Sequence, residues 1–96
     1  MRPSVALEAN RIPMQWAARK FNTSNLRVFG SALRGADREG SDLDLLADPL
    51  PGATLLDLGG LQIELESLLG VRVDQLTPGD LPLKFRAEVL SQAQPV

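Results

Sequence analysis

Hydrophobic and polar positions follow two different periods along this chain, and together they predict a small sheet with helices packed on it. Three short apolar runs have the length and composition of strands, namely residues 26–29, 43–47 and 71–76. Longer segments with an apolar residue about every three to four positions predict helices at residues 13–20, 54–69 and 83–92. A short turn or helix is expected before Pro13, because proline disfavours one unbroken helix there.

The order of these segments predicts an α+β fold in one domain, residues 1–96, with a mixed β-sheet of about three strands. Because the third run follows the long helix, a β-α-β unit would place it parallel to the second run. Thr54 is positioned to cap that helix and Gly70 to end it. Four leucines form its predicted inward stripe: Leu58, Leu61, Leu65 and Leu68.

Aromatic residues and the polar segments add predictions about burial. Trp16, the one tryptophan, is interpreted as a core residue or as a partner-contact anchor. Residues 37–39 are interpreted as solvated spacers and residues 94–96 as a loose tail. The last helix is expected to face inward with three residues, Phe85, Val89 and Leu90.

Length and composition are those of a small globular protein. The chain has 96 residues, of which 44% are hydrophobic and 23% charged. No apolar run approaches the ~20 residues of a membrane span, and the N-terminus lacks the apolar core of a signal peptide. A cytoplasmic protein without a membrane partner is therefore expected.

The absent residue types limit the chemistry. The chain has no cysteine, which excludes disulfides and thiol nucleophiles, and no histidine, which is the commonest general base. A metal site would have to be built from carboxylates and other oxygen ligands, which suits Mg²⁺ or Mn²⁺. The net charge of −2, from 10 Lys and Arg against 12 Asp and Glu, argues against a dedicated nucleic-acid binder.

The first candidate site is a glycine-rich turn that directly follows the first predicted strand. Gly30 would let the backbone turn sharply and approach a ligand closely. If a helical turn begins after Ser31, its free N–H groups and the Ser31 hydroxyl would favour an anion, and Arg34 adds a positive charge. The turn therefore suits phosphate groups, although a salt bridge from Arg34 to Asp37 or Glu39 is an equal alternative.

The second candidate site is a pair of aspartates at the start of the second predicted strand, with ten residues between Ser31 and Asp42. Side chains alternate along a strand, so Asp42 and Asp44 would share one face, about 7 Å apart. Such carboxylates could share a divalent cation or hold two, and without a cation their repulsion would raise the pKa of one of them. Two metal ions roughly 3.5–4 Å apart are the usual clamp for nucleotidyl displacement.

Asp74 lies on the third predicted strand, where a parallel register would let it join the other two carboxylates. The alternative is that Asp74 pairs with Arg72 or lies in solvent. The alternation of residues alone favours neither interpretation.

A longer pattern joins the two candidate sites and resembles a known signature. Gly30-Ser31, ten further residues and then Asp42-x-Asp44 are similar to the motif of the DNA polymerase β-type nucleotidyltransferase superfamily. The fuller strings, FGSALRG at residues 29–35 and SDLDL at residues 41–45, resemble its short branch, the minimal nucleotidyltransferases. Members of that branch are commonly antitoxins paired with HEPN-domain toxins.

The resemblance implies a nucleotidyltransferase fold and transfer of AMP from ATP to a tyrosine of the cognate HEPN toxin, which silences its RNase activity. It implies that three acidic residues bind two Mg²⁺ ions and serve in catalysis, namely Asp42, Asp44 and Asp74. The nucleotide phosphates would then bind at Gly30, Ser31 and Arg34. Because the chain contains no tyrosine, such an acceptor must come from another protein.

Two other functions stay open. The chain could be a non-catalytic antitoxin that neutralises a toxin by binding alone, with its motif as a remnant. It could also be a small-molecule nucleotidyltransferase, such as those that modify aminoglycosides. The short chain argues against the second of these, since it lacks an obvious second substrate lobe.

Overall fold

The computed structural model describes all residues 1–96 and has a four-stranded sheet at its centre. The strands are β1 (Thr23–Phe29), β2 (Leu43–Pro49), β3 (Val73–Leu76) and β4 (Gln94–Pro95), arranged in the order β3-β2-β1-β4. β1 is antiparallel to both β2 and β4, whereas β2 and β3 are parallel. The predicted mixed sheet is therefore confirmed, but it has four strands rather than three.

Five helices accompany the sheet: α1 (Pro3–Ala9), α2 (Arg11–Lys20), α3 (Gly30–Leu33), α4 (Leu55–Leu69) and α5 (Leu83–Gln92). A short 3-10 turn, Pro78–Asp80, precedes α5. The N-terminal segment is broken ahead of Pro13 as predicted, because α1 ends before Asn10 and Pro13 is the third residue of α2. The longest helix has 15 residues, and none of the five has the length and hydropathy that a membrane span requires.

Both predicted ends of α4 are confirmed. The Thr54 hydroxyl accepts a hydrogen bond from the Asp57 N–H at 3.2 Å, while the Asp57 carboxylate accepts one from the Thr54 N–H at 2.9 Å. This reciprocal pair satisfies two backbone donors at the start of the helix. Gly70 ends the helix at the other side.

The core lies between helices α1, α2 and α4 and one face of the sheet. Leu43, Leu45 and Ala47 of β2 are fully buried on that face, because alternate side chains of a strand point the same way. From α4 the buried residues are Leu61, Leu65 and Leu69. The inward ridge of α4 therefore repeats every four residues. The prediction that Leu68 faces inward is wrong, because Leu68 lies off this ridge and is 37% exposed.

The C-terminal residues form an edge strand rather than the predicted loose tail. β4 pairs with β1, and the Val96 N–H donates to the Leu26 carbonyl at 2.9 Å. The Gln15 side chain donates to the Val96 carbonyl at 2.7 Å, and Val96 is buried. A polar segment with proline is typical of a loose end, but Pro95 lies in an edge strand, where a missing N–H donor is tolerated.

Two aromatic residues lie at the surface instead of in the core. Trp16 on α2 is 66% exposed, and the Arg19 guanidinium lies 5.9 Å from its ring centre. The core interpretation of Trp16 is therefore wrong. Phe85 is 50% exposed, so the prediction that it faces inward is also wrong, because α5 buries none of its residues fully. Val89 and Leu90 on the same helix are partly buried.

Candidate active site

Asp44 and Asp74 lie opposite each other on neighbouring parallel strands. The register pairs Asp44 of β2 with Asp74 of β3. Their neighbours Leu43, Leu45 and Val73 are buried in the core, so the two aspartates project from the other face of the sheet. The Asp74 carboxyl is within hydrogen-bonding reach of the Asp44 carboxyl. The structure therefore brings these two candidate residues together.

Asp42 directly precedes β2 and lies close enough to Asp44 for its charge to act on that carboxyl. Its Oδ1 forms an ion pair with Arg72 Nε at 3.0 Å, and both side chains are largely exposed. The alternative in which Arg72 pairs with Asp74 is therefore wrong, because the partner of Arg72 is Asp42. Hereafter, Asp42, Asp44 and Asp74 are called the acidic group.

The surroundings of Asp44 raise its pKa from 3.8 to about 6. Partial burial of the carboxylate makes the largest contribution, and the negative charges of Asp74 and Asp42 add to it. The hydrogen bond with Asp74 raises the pKa further, while the positive charge of Arg34 lowers it. The predicted repulsion between neighbouring carboxylates is therefore present, and Asp44 is the residue whose pKa it raises.

Gly30 follows β1 at the point where Phe29 is paired with Asp44. Its φ of +73° lies in the left-handed region that favours glycine. A Cβ built on Gly30 would overlap with Asp44 Oδ2 and lie 3.1 Å from Asp44 Cγ. Position 30 therefore needs glycine both for its backbone conformation and for the close approach of the turn to Asp44. Ser31 comes next and is partly buried in the first turn of α3.

Arg34 directly follows α3, and its exposed side chain forms no ion pair. Its charge acts on Asp44, so the guanidinium lies on the same side of the molecule as the acidic group. The alternative salt bridge to Asp37 or Glu39 is wrong, because Asp37 pairs with Arg2 and Glu39 pairs with the Met1 amino group. Arg34 is thus a free cation beside the acidic group.

Asp37 is a residue whose role the sequence did not reveal. Its side chain is fully buried and accepts hydrogen bonds from the Ser4 N–H at 2.7 Å and from Arg2 Nη2 at 2.9 Å. Burial alone would raise the pKa of Asp37, but the hydrogen bonds from Ser4 and Arg2 together hold it below its ordinary value. The interpretation of Asp37 as a solvated spacer is therefore wrong, whereas Arg38 and Glu39 are exposed.

The acidic group offers the ligands that a small divalent cation prefers. It consists of carboxylate oxygens only, which suits Mg²⁺. Burial makes the largest contribution to the raised pKa of Asp44, and a cation would relieve the further contribution from repulsion by Asp74 and Asp42. As the side chains lie, no three carboxylates converge closely enough to hold a metal ion. Asp42 is instead turned to Arg72. The ligand chemistry of the group therefore fits such a cation, whereas the present positions of its side chains do not surround one.

A protein-family comparison covers the segment that contains the turn and the carboxylates. The family model described as a nucleotidyltransferase domain matches residues 16–95, which include the Gly30-Ser31 turn and all three aspartates. This chain belongs to the nucleotidyltransferase domain family. The resemblance on which the sequence interpretation depends is thereby confirmed.

Curated relatives within the nucleotidyltransferase family match most of the chain. The protein adenylyltransferase MntA of Thermococcus cleftensis is 37% identical over 73 residues, which cover 76% of this chain and 74% of that protein. A candidate protein adenylyltransferase of Methanocaldococcus jannaschii, MJ0435, is 36% identical over 74 residues, which cover 77% of this chain and 80% of that protein.

Solved structures confirm the nucleotidyltransferase fold. One described as a candidate minimal nucleotidyltransferase has a TM-score of 0.86 and 42% sequence identity, covering 97% of this chain and 95% of that chain. A crystal structure of a toxin-antitoxin with AMP-PNP has a TM-score of 0.70 and 20% identity, covering 92% of this chain and 70% of that chain. The second likeness concerns the fold alone.

Proposed function

We propose that this nucleotidyltransferase-family chain is an antitoxin. It transfers AMP from ATP to a tyrosine hydroxyl of a HEPN-domain RNase toxin and so neutralises the toxin. The observation that carries the proposal is the pair of facing carboxylates, Asp44 and Asp74, beside the Gly30 turn. The name of the Thermococcus cleftensis relative and the toxin-antitoxin structure with AMP-PNP support the reaction and the class of partner.

The turn at Gly30 and Ser31 would bind the phosphates of ATP. It approaches Asp44 without an intervening side chain, so a triphosphate that binds there would lie next to the acidic group. The Ser31 hydroxyl is a hydrogen-bond donor in this turn, and the unpaired Arg34 guanidinium offsets the negative charge of the phosphates.

The residues that would hold Mg²⁺ are Asp42, Asp44 and Asp74, with two ions expected. When bound there, Mg²⁺ would neutralise the charge of the triphosphate and of the pyrophosphate that leaves. Asp44 is partly buried between the other two carboxylates and so is assigned to the centre of the site. This assignment requires Asp42 to exchange Arg72 for the cation.

Asp74 would face the acceptor. It is exposed and lies on the edge strand β3, so an incoming hydroxyl can reach it from outside the sheet. The hydroxyl oxygen would bond to the α-phosphorus while the bond from this phosphorus to the pyrophosphate oxygen breaks. Asp74 would take the proton that the hydroxyl loses. The acceptor tyrosine must come from another protein, since this chain has none. We place this reaction in the cytoplasm.

The test is label transfer from ATP labelled at the α-phosphate to a HEPN-domain protein encoded beside this chain. We expect the partner to become labelled in Mg²⁺ and its RNase activity to fall. Asp44→Asn should abolish the labelling, while Glu88→Gln, which removes an exposed carboxylate on α5, should not change it.

Three results would contradict the proposal. Equal neutralisation of the toxin by the Asp44→Asn protein would show that binding alone is sufficient. Labelling of the partner that Asp44→Asn does not reduce would place the chemistry elsewhere. Consumption of ATP with a small molecule such as an aminoglycoside, without labelling of any protein, would favour the small-molecule alternative.

A further inference from the structure

The N-terminal segment is tied to the loop between α3 and β2 by the side chain of Arg2. Its Nη2 donates to Asp37 Oδ1 at 2.9 Å and to the Gly35 carbonyl at 3.2 Å, and its Nε donates to the Asp37 carbonyl at 3.0 Å. The buried Asp37 carboxylate also accepts from the Ser4 N–H. We call Arg2, Asp37 and these hydrogen bonds the Arg2 clamp.

The Arg2 clamp holds the loop at the residue that follows Arg34. Gly35 is fixed through its carbonyl, and Asp37 is fixed through both its carbonyl and its buried carboxylate. The Arg34 side chain itself has no ion-pair partner and is exposed. Its direction therefore depends on the backbone that carries it. Hydrogen bonds to α3 hold this backbone from one side, and the clamp holds it from outside the loop at Gly35 and Asp37.

The Arg2 guanidinium donates three hydrogen bonds to Gly35 and Asp37, which is more than an exposed ion pair with one carboxylate requires. The planar fork of arginine holds two carbonyls and a carboxylate at once, which the single ammonium of lysine cannot reproduce. The carboxylate lies in the interior, where a hydrogen bond that loses one partner costs more than it does at the surface. The clamp therefore ties the loop to the N-terminal segment at three points.

We propose that Arg2 is a positioning residue that holds Arg34 in place for the triphosphate. This inference rests on the proposed nucleotidyl transfer. Arg2 itself does not touch the nucleotide in this account. It acts through Gly35 and Asp37, which fix the backbone that leads out of the phosphate-binding turn.

The experiment compares steady-state AMP transfer by Arg2→Gln, Arg2→Lys and Arg38→Gln. Arg2→Gln should raise the KM for ATP about tenfold and change kcat less than about twofold, because it loosens a contact to bound nucleotide. Arg2→Lys should give an intermediate KM, since it keeps the charge but loses the fork. Arg38→Gln is the matched control, because Arg38 is an exposed cation of the same loop outside the clamp.

A double variant shows whether Arg2 acts through Arg34. If it does, Arg2→Gln should change the KM for ATP less than about twofold in an Arg34→Gln background. The affinity for a fluorescent ATP analogue, measured without transfer, should follow the same order. If the two substitutions instead multiply the KM independently, the inference is overturned, because Arg2 then acts without Arg34.

The two proposals can fail separately. If the wild-type chain labels its partner and Arg2→Gln has the wild-type KM, the clamp inference is wrong and the proposed function stands. If the wild-type chain neither binds the ATP analogue nor transfers AMP, both are wrong. Thermal unfolding of each variant shows whether it is folded at the assay temperature, and Arg2→Lys provides a second measurement should Arg2→Gln unfold.

Discussion

Gly30 lies against Asp44 so closely that any side chain at position 30 would occupy the space of the Asp44 carboxylate. We predict that Gly30→Ala destabilises the protein by more than about 1 kcal/mol, since the left-handed backbone alone costs that much. Displacement of Asp44 should also reduce AMP transfer by about 100-fold. Urea unfolding and label transfer measure the two effects.

Gly52→Ala is the matched control for this prediction. Gly52 also has a positive φ, +89°, but a Cβ there would meet nothing within 4 Å, and it follows the end of β2 that is remote from Asp44. It should therefore show the backbone cost without displacing Asp44 and retain most of the activity. Equal activities of the two alanine variants would show that the contact between Gly30 and Asp44 does not matter for transfer.

Asp44→Asn should stabilise the metal-free protein at neutral and alkaline pH. Because the pKa of Asp44 is raised from 3.8 to about 6, the folded state binds a proton more tightly than the unfolded state, and stability falls as the pH rises through this window. Asp44 is partly exposed, so solvent screening reduces the effect, and we expect a gain of about 1 kcal/mol.

Urea unfolding in the presence of a metal chelator measures this gain. The advantage of Asp44→Asn should be larger at about pH 8 than at about pH 5, whereas Glu88→Gln should show no such difference. Added Mg²⁺ should stabilise the wild-type protein more than the variant. An asparagine variant that is no more stable than wild type at the higher pH would contradict the raised pKa.

Arg72→Gln should bind divalent cations more tightly than the wild-type chain. Asp42 must leave its ion pair with Arg72 Nε before it can contact a metal, and removing Arg72 removes this competition. An exposed ion pair contributes less than about 1 kcal/mol, so the affinity should rise by about two- to fivefold. Titration with Mn²⁺, followed by electron paramagnetic resonance, measures the affinity directly.

Lys84→Gln is the control for the Arg72 prediction, because it removes one positive charge from α5 without touching the acidic group. It should leave the Mn²⁺ affinity unchanged. An unchanged or weaker affinity in Arg72→Gln would show that the ion pair does not compete with the cation.

The two adjacent glycines of α4 should respond in opposite ways to alanine. A Cβ on Gly59 would meet nothing within 4 Å, so Gly59→Ala should gain up to about 1 kcal/mol of stability from helix propensity. A Cβ on Gly60 would lie 2.5 Å from Cε1 of Phe21, so Gly60→Ala must displace that ring and should lose stability. Thermal unfolding compares them, and a stabilised Gly60→Ala would contradict the close packing.

Local patterns predicted the parts of the fold that depend on neighbours in sequence. The alternation around Asp44 predicted which face of β2 is buried, and the segment order predicted that β3 runs parallel to β2. The register that pairs Asp44 with Asp74 stayed open on the residues alone. The ends of α4 followed from Thr54 and Gly70, since caps act within one helical turn.

Contacts between distant segments could not be predicted in this way. Asp37 is buried where it binds Arg2 and the N–H of Ser4, at the start of α1 and more than 30 residues away in sequence. Val96 is ordered because the edge of β1 was free to pair with β4. The pattern of residues within either segment does not indicate such a partner, and each segment by itself has the composition of an exposed polar segment.

Strand β3 stands at the margin of the sheet, with β2 on one side and no further strand on the other. Asp74 is therefore exposed at an open edge of the sheet. A large partner protein could remain outside this edge and reach Asp74 with one side chain, without entering a cleft. This sheet edge suits the proposed transfer to a side chain of a protein partner.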